Sequence, residues 1–355
     1  MKFIFSIRHS FYFLLMIAFS IILLNACKKD LKDDNINQPY VFKEKLSEYK
    51  FFTGDLKDLN PVEDVFLYDL SSPLFSDYTI KDRYIQLPEG KSITYKEDGP
   101  LEFPSGSVII KNFSHPTTSG GVKHIETRLL ILDPFDNEWK VMVYLWNDAQ
   151  TEAIKHIIGK TVNIDVQNSQ GEWLNTNYKV PNTNDCKGCH ISFSKILPIG
   201  PKARNLNYIP EFSTENQLDA WAKKGIIKDL PTSGVKTLPV WNDSLNFSLE
   251  QRARAYLEIN CSHCHRDGSP ASYTGYWVDY DQTSNNHLGI FKEPIAAGSK
   301  GSGGLKHDIV PGNADSSIVI YRMSNNGVGI AMPELARSIV HTEGVELIRA
   351  WINNM

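Results

Sequence analysis

The chain has few cysteines for its length, only five in 355 residues. Four of them fall into two copies of one short pattern, and the fifth is Cys27. No thiol is therefore left over for a structural disulfide, which excludes a disulfide-stapled scaffold. We expect the fold to be held by its apolar core and by whatever the paired cysteines bind.

The chain also has no excess of basic over acidic residues. The formal net charge is −4, with 37 Lys and Arg against 41 Asp and Glu. Because a protein that binds nucleic acid needs a positive face, this balance argues against DNA or RNA as a partner. Residues 41–180 also lack a phosphate-binding loop, a nucleophile motif and a catalytic pair of carboxylates. That region therefore carries no enzymatic signature of its own.

Residues 1–26 have the composition of a secretory signal peptide. Lys2 and Arg8 precede an apolar run over 11–24, which ends in Leu-Asn-Ala-Cys at 24–27. This ending resembles the processing site of bacterial lipoproteins, with Cys27 as the lipidated residue. The alternative is an uncleaved membrane anchor, since the apolar run approaches the length of one.

The leader predicts where the protein is located. We expect a lipid-anchored protein in the cell envelope of a Gram-negative bacterium, at the outer membrane on its periplasmic or its surface face. The membrane is then a partner through the lipid anchor alone. Residues 27–40, which are rich in charge after Cys27, are expected to be a solvated tether.

The chain does contain the pattern Cys-x-x-Cys-His, and it contains it twice. It reads Cys-Lys-Gly-Cys-His at 186–190 and Cys-Ser-His-Cys-His at 261–265. With this composition, chance would produce such a pattern on the order of 0.002 times per chain. The pattern is typical of covalent haem c attachment, in which both thiols add to porphyrin vinyl groups and the adjacent His binds the iron.

The two patterns therefore predict two covalently bound haem c groups. The predicted attachment residues are Cys186, Cys189, Cys261 and Cys264, and the predicted proximal iron ligands are His190 and His265. The alternative is a zinc site made by the two cysteine pairs. Such sites usually separate their pairs by about 15–20 residues, whereas Cys189 and Cys261 are 72 positions apart. Zinc would also leave the two adjacent histidines unexplained. His263 is expected to face solvent.

A sixth iron ligand is predicted for one haem only. Met332 follows His265 by 67 residues in an Ala-Met-Pro turn, and a thioether opposite imidazole raises the reduction potential. Met323 is the alternative, although its place on an expected helix suits core packing better. For the first haem, Met142, His156, a more distant His and an open position all remain possible.

The hydrophobic pattern predicts an α+β protein of several domains. Alternation over 162–166 predicts a half-buried strand, and residues 139–146 are apolar on both faces, as in a strand covered on both sides. Turn-rich links at 133–137 and 168–171 predict hairpins. Residues 41–180 are therefore expected to form an antiparallel β-sandwich or small barrel.

Helices are expected after the β-rich part. Residues 181–245 carry the first Cys-x-x-Cys-His pattern. Residues 248–251 make a capping box that begins an amphipathic helix leading into Cys261. Apolar residues over 345–352 mark a last helix. Residues 246–355 are therefore expected to form a mostly α-helical domain around the second haem.

This C-terminal part resembles class I cytochrome c domains, in which a first helix carries the haem pattern and a last helix crosses it. The Pro-Gly-Asn-Ala-Asp-Ser run at 311–316 and the Met-Pro at 332–333 belong to the resemblance. Over 70–355 the chain resembles a family of di-haem c-type cytochrome lipoproteins with a β-rich N-terminal half. Segments 73–78 and 199–207 carry that wider likeness. It implies electron transfer between redox proteins of the envelope, with no assigned substrate.

Two other functions remain open beside electron transfer. One is a peroxidase-like enzyme in which the first haem has an open position. The other is a binding module in residues 41–180, with the haems as accessories. Lys202 and Arg204 are candidates to bind haem propionates through charge-assisted hydrogen bonds.

Overall fold

A computed structural model of the chain describes residues 38–355. The predicted signal peptide, the predicted lipidation residue Cys27 and most of the predicted tether lie outside this range. Residues 41–355 form one compact unit, and the predicted boundaries at 180 and 245 stay predictions. From residue 38 onward, no helix has both the length and the apolar character needed to cross a membrane.

The N-terminal half is built on a six-stranded antiparallel sheet. In order across the sheet its strands are β1 Val65–Leu67, β2 Ile80–Gln86, β3 Val108–Pro116, β4 Val122–Leu132, β5 Trp139–Trp146 and β6 Ala153–Lys155. A separate hairpin joins β7 Lys160–Gln167 to β8 Trp173–Val180. The predicted β-rich half is confirmed. The barrel alternative is wrong, because the described strands form an open sheet and a separate hairpin instead of one closed sheet.

The predicted strands and hairpins occur where the sequence pattern placed them. In β5, the neighbours Val143 and Tyr144 point to opposite faces and both have no exposed surface, so this strand is covered on both sides. In β7, Ile164 and Val166 are buried while Asp165 between them is exposed. Asn137 turns the chain between β4 and β5 with φ of 56°, a conformation that Asn tolerates better than most residues.

Helices lie mainly in the second half of the chain. They are α1 Thr183–His190, α2 Ala203–Leu206, α3 Gln217–Lys223, α4 Leu249–Asn260, α5 Gly298–Ser302, α6 Ile318–Met323 and α7 Thr342–Asn353. Three further strand pairs are very short: Phe52–Thr53 with Asn60–Pro61, Ile191–Ser192 with Lys195–Ile196, and Ile93–Thr94 with Ile227–Lys228. Single 3-10 turns occur at Leu46–Tyr49, Leu56–Asp58, Ser272–Thr274 and Ala314–Ser316. The C-terminal part is less helical than predicted, because turns and loops fill most of the stretch between α4 and α5.

The capping box predicted at the start of α4 is present. The Ser248 hydroxyl accepts a hydrogen bond from the Gln251 N–H at 3.3 Å, and the Gln251 side chain accepts one from the Ser248 N–H at 2.9 Å. Leu257 of α4 packs with Ile348 and Ile352 of α7, and none of the three has exposed surface. Burying each such side chain contributes about 1.5–3 kcal/mol. The two long C-terminal helices therefore share one core.

A second core joins the sheet to the segment that carries the first Cys-x-x-Cys-His pattern. Sheet residues such as Leu130 and Val141 pack in one apolar cluster with Cys186 of α1 and Leu206 of α2. Helix α1 lies against β5. The sheet therefore packs against the helix that carries the first Cys-x-x-Cys-His pattern and fixes its position.

Candidate functional site

The first Cys-x-x-Cys-His pattern lies on the short helix α1. Asn182 caps the helix, its side-chain oxygen accepting from the N–H groups of Asn184 at 2.8 Å and Asp185 at 2.9 Å. Residues three apart on a helix are surface neighbours, so Cys186 and Cys189 share one face. The cap decides where the helix begins and therefore which face carries the two thiols.

The second pattern follows α4 directly and forms a hydrogen-bonded turn at its C-terminal end. The Cys261 N–H donates to the Leu257 carbonyl at 2.9 Å, and the His265 N–H donates to the Cys261 carbonyl at 2.9 Å. The Ser262 hydroxyl donates to the Glu258 carbonyl at 2.6 Å. The pattern is thus tied backbone to backbone to a buried helix.

The structure brings the two patterns into contact. Three potential metal-binding atoms lie within 4.8 Å of one another: the Sγ of Cys189, the Sγ of Cys264 and a ring nitrogen of His263. The Cys264 sulfur is also 4.0 Å from the Gly188 carbonyl oxygen. Segments more than 70 positions apart in the chain therefore form one site.

His263 is not where the sequence analysis expected it. Its residue is only 6% exposed, so the prediction that it faces solvent is wrong. Its Nδ1 is buried without a hydrogen-bond partner. The reason is tertiary: α1 covers the second pattern on the side that a lone helical turn would leave open.

A cavity of about 200 Å³ lies between the sheet, both patterns and the segment after residue 331. The predicted site residues that line it are Cys186, Cys189, His190, Cys261 and Met332. His263, His341 and Met323 also line it, whereas His265 does not.

Two candidates for the sixth ligand of the first iron lie elsewhere. Val141 of β5 lines the cavity, so its neighbour Met142 points to the other face of the sheet. The Nε2 of His156 is 3.2 Å from the Gly159 carbonyl oxygen, outside the cavity lining. Neither residue is part of the site that the structure assembles.

His190 is prepared to bind a metal through one nitrogen. Its Nδ1 lies 2.7 Å from the Leu197 carbonyl oxygen. A carbonyl can only accept, so Nδ1 carries the proton and Nε2 keeps its lone pair free. Burial lowers the pKa of His190 to about 4, which keeps the ring neutral at pH 7. A backbone carbonyl behind the ring is the usual partner of a metal-binding His.

His265 is partly buried and lies outside the cavity lining. Its ring lies 5.2 Å from the ring of Tyr276, and its Nδ1 makes no hydrogen bond. Burial lowers the pKa of His265 to about 4, against an opposing contribution from the Tyr276 backbone. Since Met332 lines the cavity and His265 does not, the predicted pairing of these two residues on one iron stays a prediction.

The four thiols are not equivalent. Burial raises the pKa of Cys186 to about 11 and that of Cys261 to about 12. The Cys264 thiol donates a hydrogen bond to Cys189, which lowers the pKa of Cys189 and raises the pKa of Cys264. Of these two thiols, Cys189 is therefore the more readily ionised.

The loop that presents Met332 is held by one arginine. The Arg337 guanidinium donates to the carbonyls of Asn325 at 2.6 Å, Arg322 at 3.1 Å and Pro333 at 3.3 Å. Met323 packs in the C-terminal core at 6% exposure, as expected for a residue on a helix.

The two basic residues considered for propionate binding are already paired. Lys202 forms a buried ion pair with Glu258, and Arg204 contacts Asp281 at 2.5 Å. Neither of them lines the cavity. Three basic residues of the sheet do line it, Arg83, Lys111 and Arg128, and the sequence analysis did not single them out. The alternation of apolar and polar residues along a strand predicts which side of the sheet a residue faces. It does not predict which residues of neighbouring strands lie beside each other, so it could not have brought these three together.

The side chains present fit a covalently attached haem in their chemistry. Each pattern offers two thiols and an adjacent neutral imidazole, and His263 and His265 keep buried nitrogens without partners. They also fit zinc in part, since Cys189, His263 and Cys264 supply three of the four ligands of a tetrahedral site. Cys186 and Cys261 stand outside that group.

Comparisons with family models, with curated proteins and with solved structures gave no match. The assignment of a function therefore rests on the site itself.

Proposed function

We propose that the protein is a di-haem c-type cytochrome that passes electrons between redox proteins of the cell envelope. The observation that carries the proposal is the His190 ring, neutral and anchored through Nδ1 to the Leu197 carbonyl at 2.7 Å. It sits beside Cys186 and Cys189 in a cavity that Cys261 of the other pattern also lines.

Each haem would supply reversible exchange of one electron between ferric and ferrous iron. The chain's part is attachment and placement: thioethers at Cys186 and Cys189 for one haem, and at Cys261 and Cys264 for the other. His190 needs no reorientation to offer its Nε2, because the carbonyl behind it holds the ring. Because the two patterns touch, both cofactors would be attached at neighbouring points, as direct electron passage between them requires.

His263 is the best candidate in the cavity for the sixth ligand of the first iron. It is buried, lines the cavity with His190 and keeps its Nδ1 unpartnered. His341 lines the same cavity, but its Nδ1 is 3.0 Å from the Tyr256 hydroxyl. A two-histidine first haem would act as an electron carrier, since no position would be left for a substrate.

The test is the haem content of the full chain, produced in a host competent in cytochrome c maturation. We expect two haems per chain by pyridine haemochrome and a matching increase in mass. The double variants C186A/C189A and C261A/C264A should each keep one haem, whereas C27A, as the matched control, should keep two. Colourless protein with no added mass would refute the proposal.

A zinc protein is the second candidate, favoured by the Cys189, His263 and Cys264 cluster alone. Metal analysis of the same preparation separates the two. Stoichiometric zinc without iron would establish the zinc site, and two irons per chain without zinc would exclude it.

The peroxidase-like alternative predicts an open iron. Carbon monoxide added to the reduced protein should leave the spectrum unchanged if both irons are six-coordinate. Binding of carbon monoxide, together with peroxide turnover well above that of free haem, would favour the enzyme. If both haems proved accessory, a glycan or protein ligand of residues 41–180 would be the remaining alternative.

The proposal extends to the place where the protein works. Lipidation at Cys27 would anchor it in the outer membrane, and the redox partners would be envelope proteins. Mass analysis of the N-terminal peptide tests the lipidation: a mature chain that begins at a lipid-modified Cys27 is expected, and an unprocessed N-terminus would contradict it.

A further inference from the structure

Three basic residues form a row across the middle of the sheet. In the strand register Arg83 of β2 is the direct partner of Lys111 of β3, and Lys111 is the direct partner of Arg128 of β4. Like charges placed directly opposite on neighbouring strands are destabilising. An arrangement of three such residues therefore needs compensating negative charge.

The row faces the cavity, with Arg83 buried and with Lys111 and Arg128 partly buried. All three residues line it, beside Cys186 and His190. The side chain of Arg83 is 4% exposed and that of Arg128 is 17% exposed. Cations in such a place lose most of their hydration, so each needs a close anionic partner.

The protein supplies that partner for the two outer residues only. Arg83 contacts Asp69 at 2.8 Å, and Arg128 contacts the fully buried Glu126 at 2.5 Å. The Lys111 ammonium lies 4.8 Å above the ring of Phe113. Between residues 38 and 355, no carboxylate comes within ion-pair distance of it.

Two further observations point the same way. The Nε of Arg83 is buried without a hydrogen-bond partner, so a second donor in the row is unused. Burial, and then the charge of Arg83, lower the pKa of Lys111 well below its ordinary value. The cavity wall thus holds a lysine amine with no anionic partner and an arginine N–H with no acceptor among the described residues.

We propose that the row Arg83, Lys111 and Arg128 is a carboxylate-binding site, and that the propionates of the first haem occupy it. The inference rests on the proposed function, because it needs a haem attached at Cys186 and Cys189. A propionate carboxylate would accept charge-assisted hydrogen bonds from Lys111 and from the free donors of Arg83. The β-rich half then serves to hold and tune the cofactor.

The test is the reduction potential of each haem in the full, haem-loaded chain. Lys111→Met should lower the midpoint of one haem, since the propionate charge that favours ferric iron would lose its neighbouring cation. That midpoint should also become pH-dependent near neutrality, because the carboxylate would then titrate. Lys111→Gln serves the same purpose should the Met variant fold poorly.

Lys140→Met is the matched control. Lys140 lies on β5, the strand next to β4 in the same sheet, and pairs with Asp136 of the β4–β5 hairpin. This variant should leave both midpoints as in the wild type. If Lys111→Met and Lys111→Gln also leave both midpoints unchanged, the inference is overturned while the haem assignment stands. Absence of haem from the purified chain, found before any titration, would overturn both.

A free carboxylate or phosphate could occupy the same row. Titrations in chloride and in phosphate buffer distinguish the two sources. A propionate predicts that the wild-type midpoints agree between the buffers. A midpoint that moves with the buffer in the wild type, and not in Lys111→Met, would overturn the propionate assignment in favour of a free anion.

Discussion

The buried ion pair of Lys202 and Glu258 gives the sharpest test of how the two Cys-x-x-Cys-His segments are held together. Lys202 follows the first pattern and Glu258 lies on the helix that leads into the second. Their side chains are 9% and 4% exposed. One Glu258 oxygen also accepts from the Tyr280 N–H at 2.9 Å and the Ser262 hydroxyl at 3.2 Å.

Glu258→Gln removes the charge and keeps the shape. The Lys202 ammonium would then be buried with no carboxylate, and breaking a buried pair in this way costs about 3–5 kcal/mol. Since whole proteins are stable by only about 5–15 kcal/mol, the loss is a large fraction of the total. Urea unfolding of the full chain at pH 7 measures it.

The matched control is Glu215→Gln, which breaks the exposed pair of Glu215 with Lys223. Those side chains are 39% and 71% exposed, so the expected change stays within about 0.5 kcal/mol. Replacing both buried partners, as in Lys202→Met with Glu258→Leu, should recover most of the loss, because no uncompensated charge remains. A Glu258→Gln cost below about 1 kcal/mol would refute this account of the pair.

The effect has a predictable pH dependence. Burial alone would raise the pKa of Glu258, but Lys202 and the hydrogen bonds outweigh it and the pKa is lowered from 4.5. The stabilisation is therefore complete above pH 4.5 and is lost as the pH falls through the lowered pKa. The difference between wild type and Glu258→Gln should shrink accordingly in acid.

Three further predictions concern other parts of the chain. Ser248→Ala should cost about 1 kcal/mol in urea unfolding by removing the cap of α4, and Ser248→Asp should restore it; equal stability of all three proteins would contradict the capping role. Burial lowers the pKa of Lys81 from 10.5 to about 7, so the folded chain binds fewer protons than the unfolded chain between these values. Wild-type stability should therefore rise from pH 7 to 10.5, and Lys81→Met should flatten that slope. Met332→Ala should abolish the thioether-ligated low-spin spectrum of one haem, and an unchanged spectrum would show that Met332 is not a ligand.

Much of the local structure could be read from the sequence. The cap at Ser248, the hairpin at 133–137 and the alternating strand over 162–166 each depend on residues within a few positions of one another. The same holds for the two Cys-x-x-Cys-His patterns, whose spacing decides that their thiols share a helical turn. Such features survive in almost any tertiary setting, which is why the cap, the hairpin and the strand were predicted correctly.

The placement of His263 and the row of Arg83, Lys111 and Arg128 could not be read in that way. His263 is buried because α1 packs over it, and the basic residues meet because three strands pair in one register. A shift of one residue in that register would send a strand's side chains to the other face. The sequence by itself determined which thiols and imidazoles occur in the Cys-x-x-Cys-His spacing. Only the tertiary structure decided which of them share a cavity, because that depends on contacts between segments that are distant in the chain.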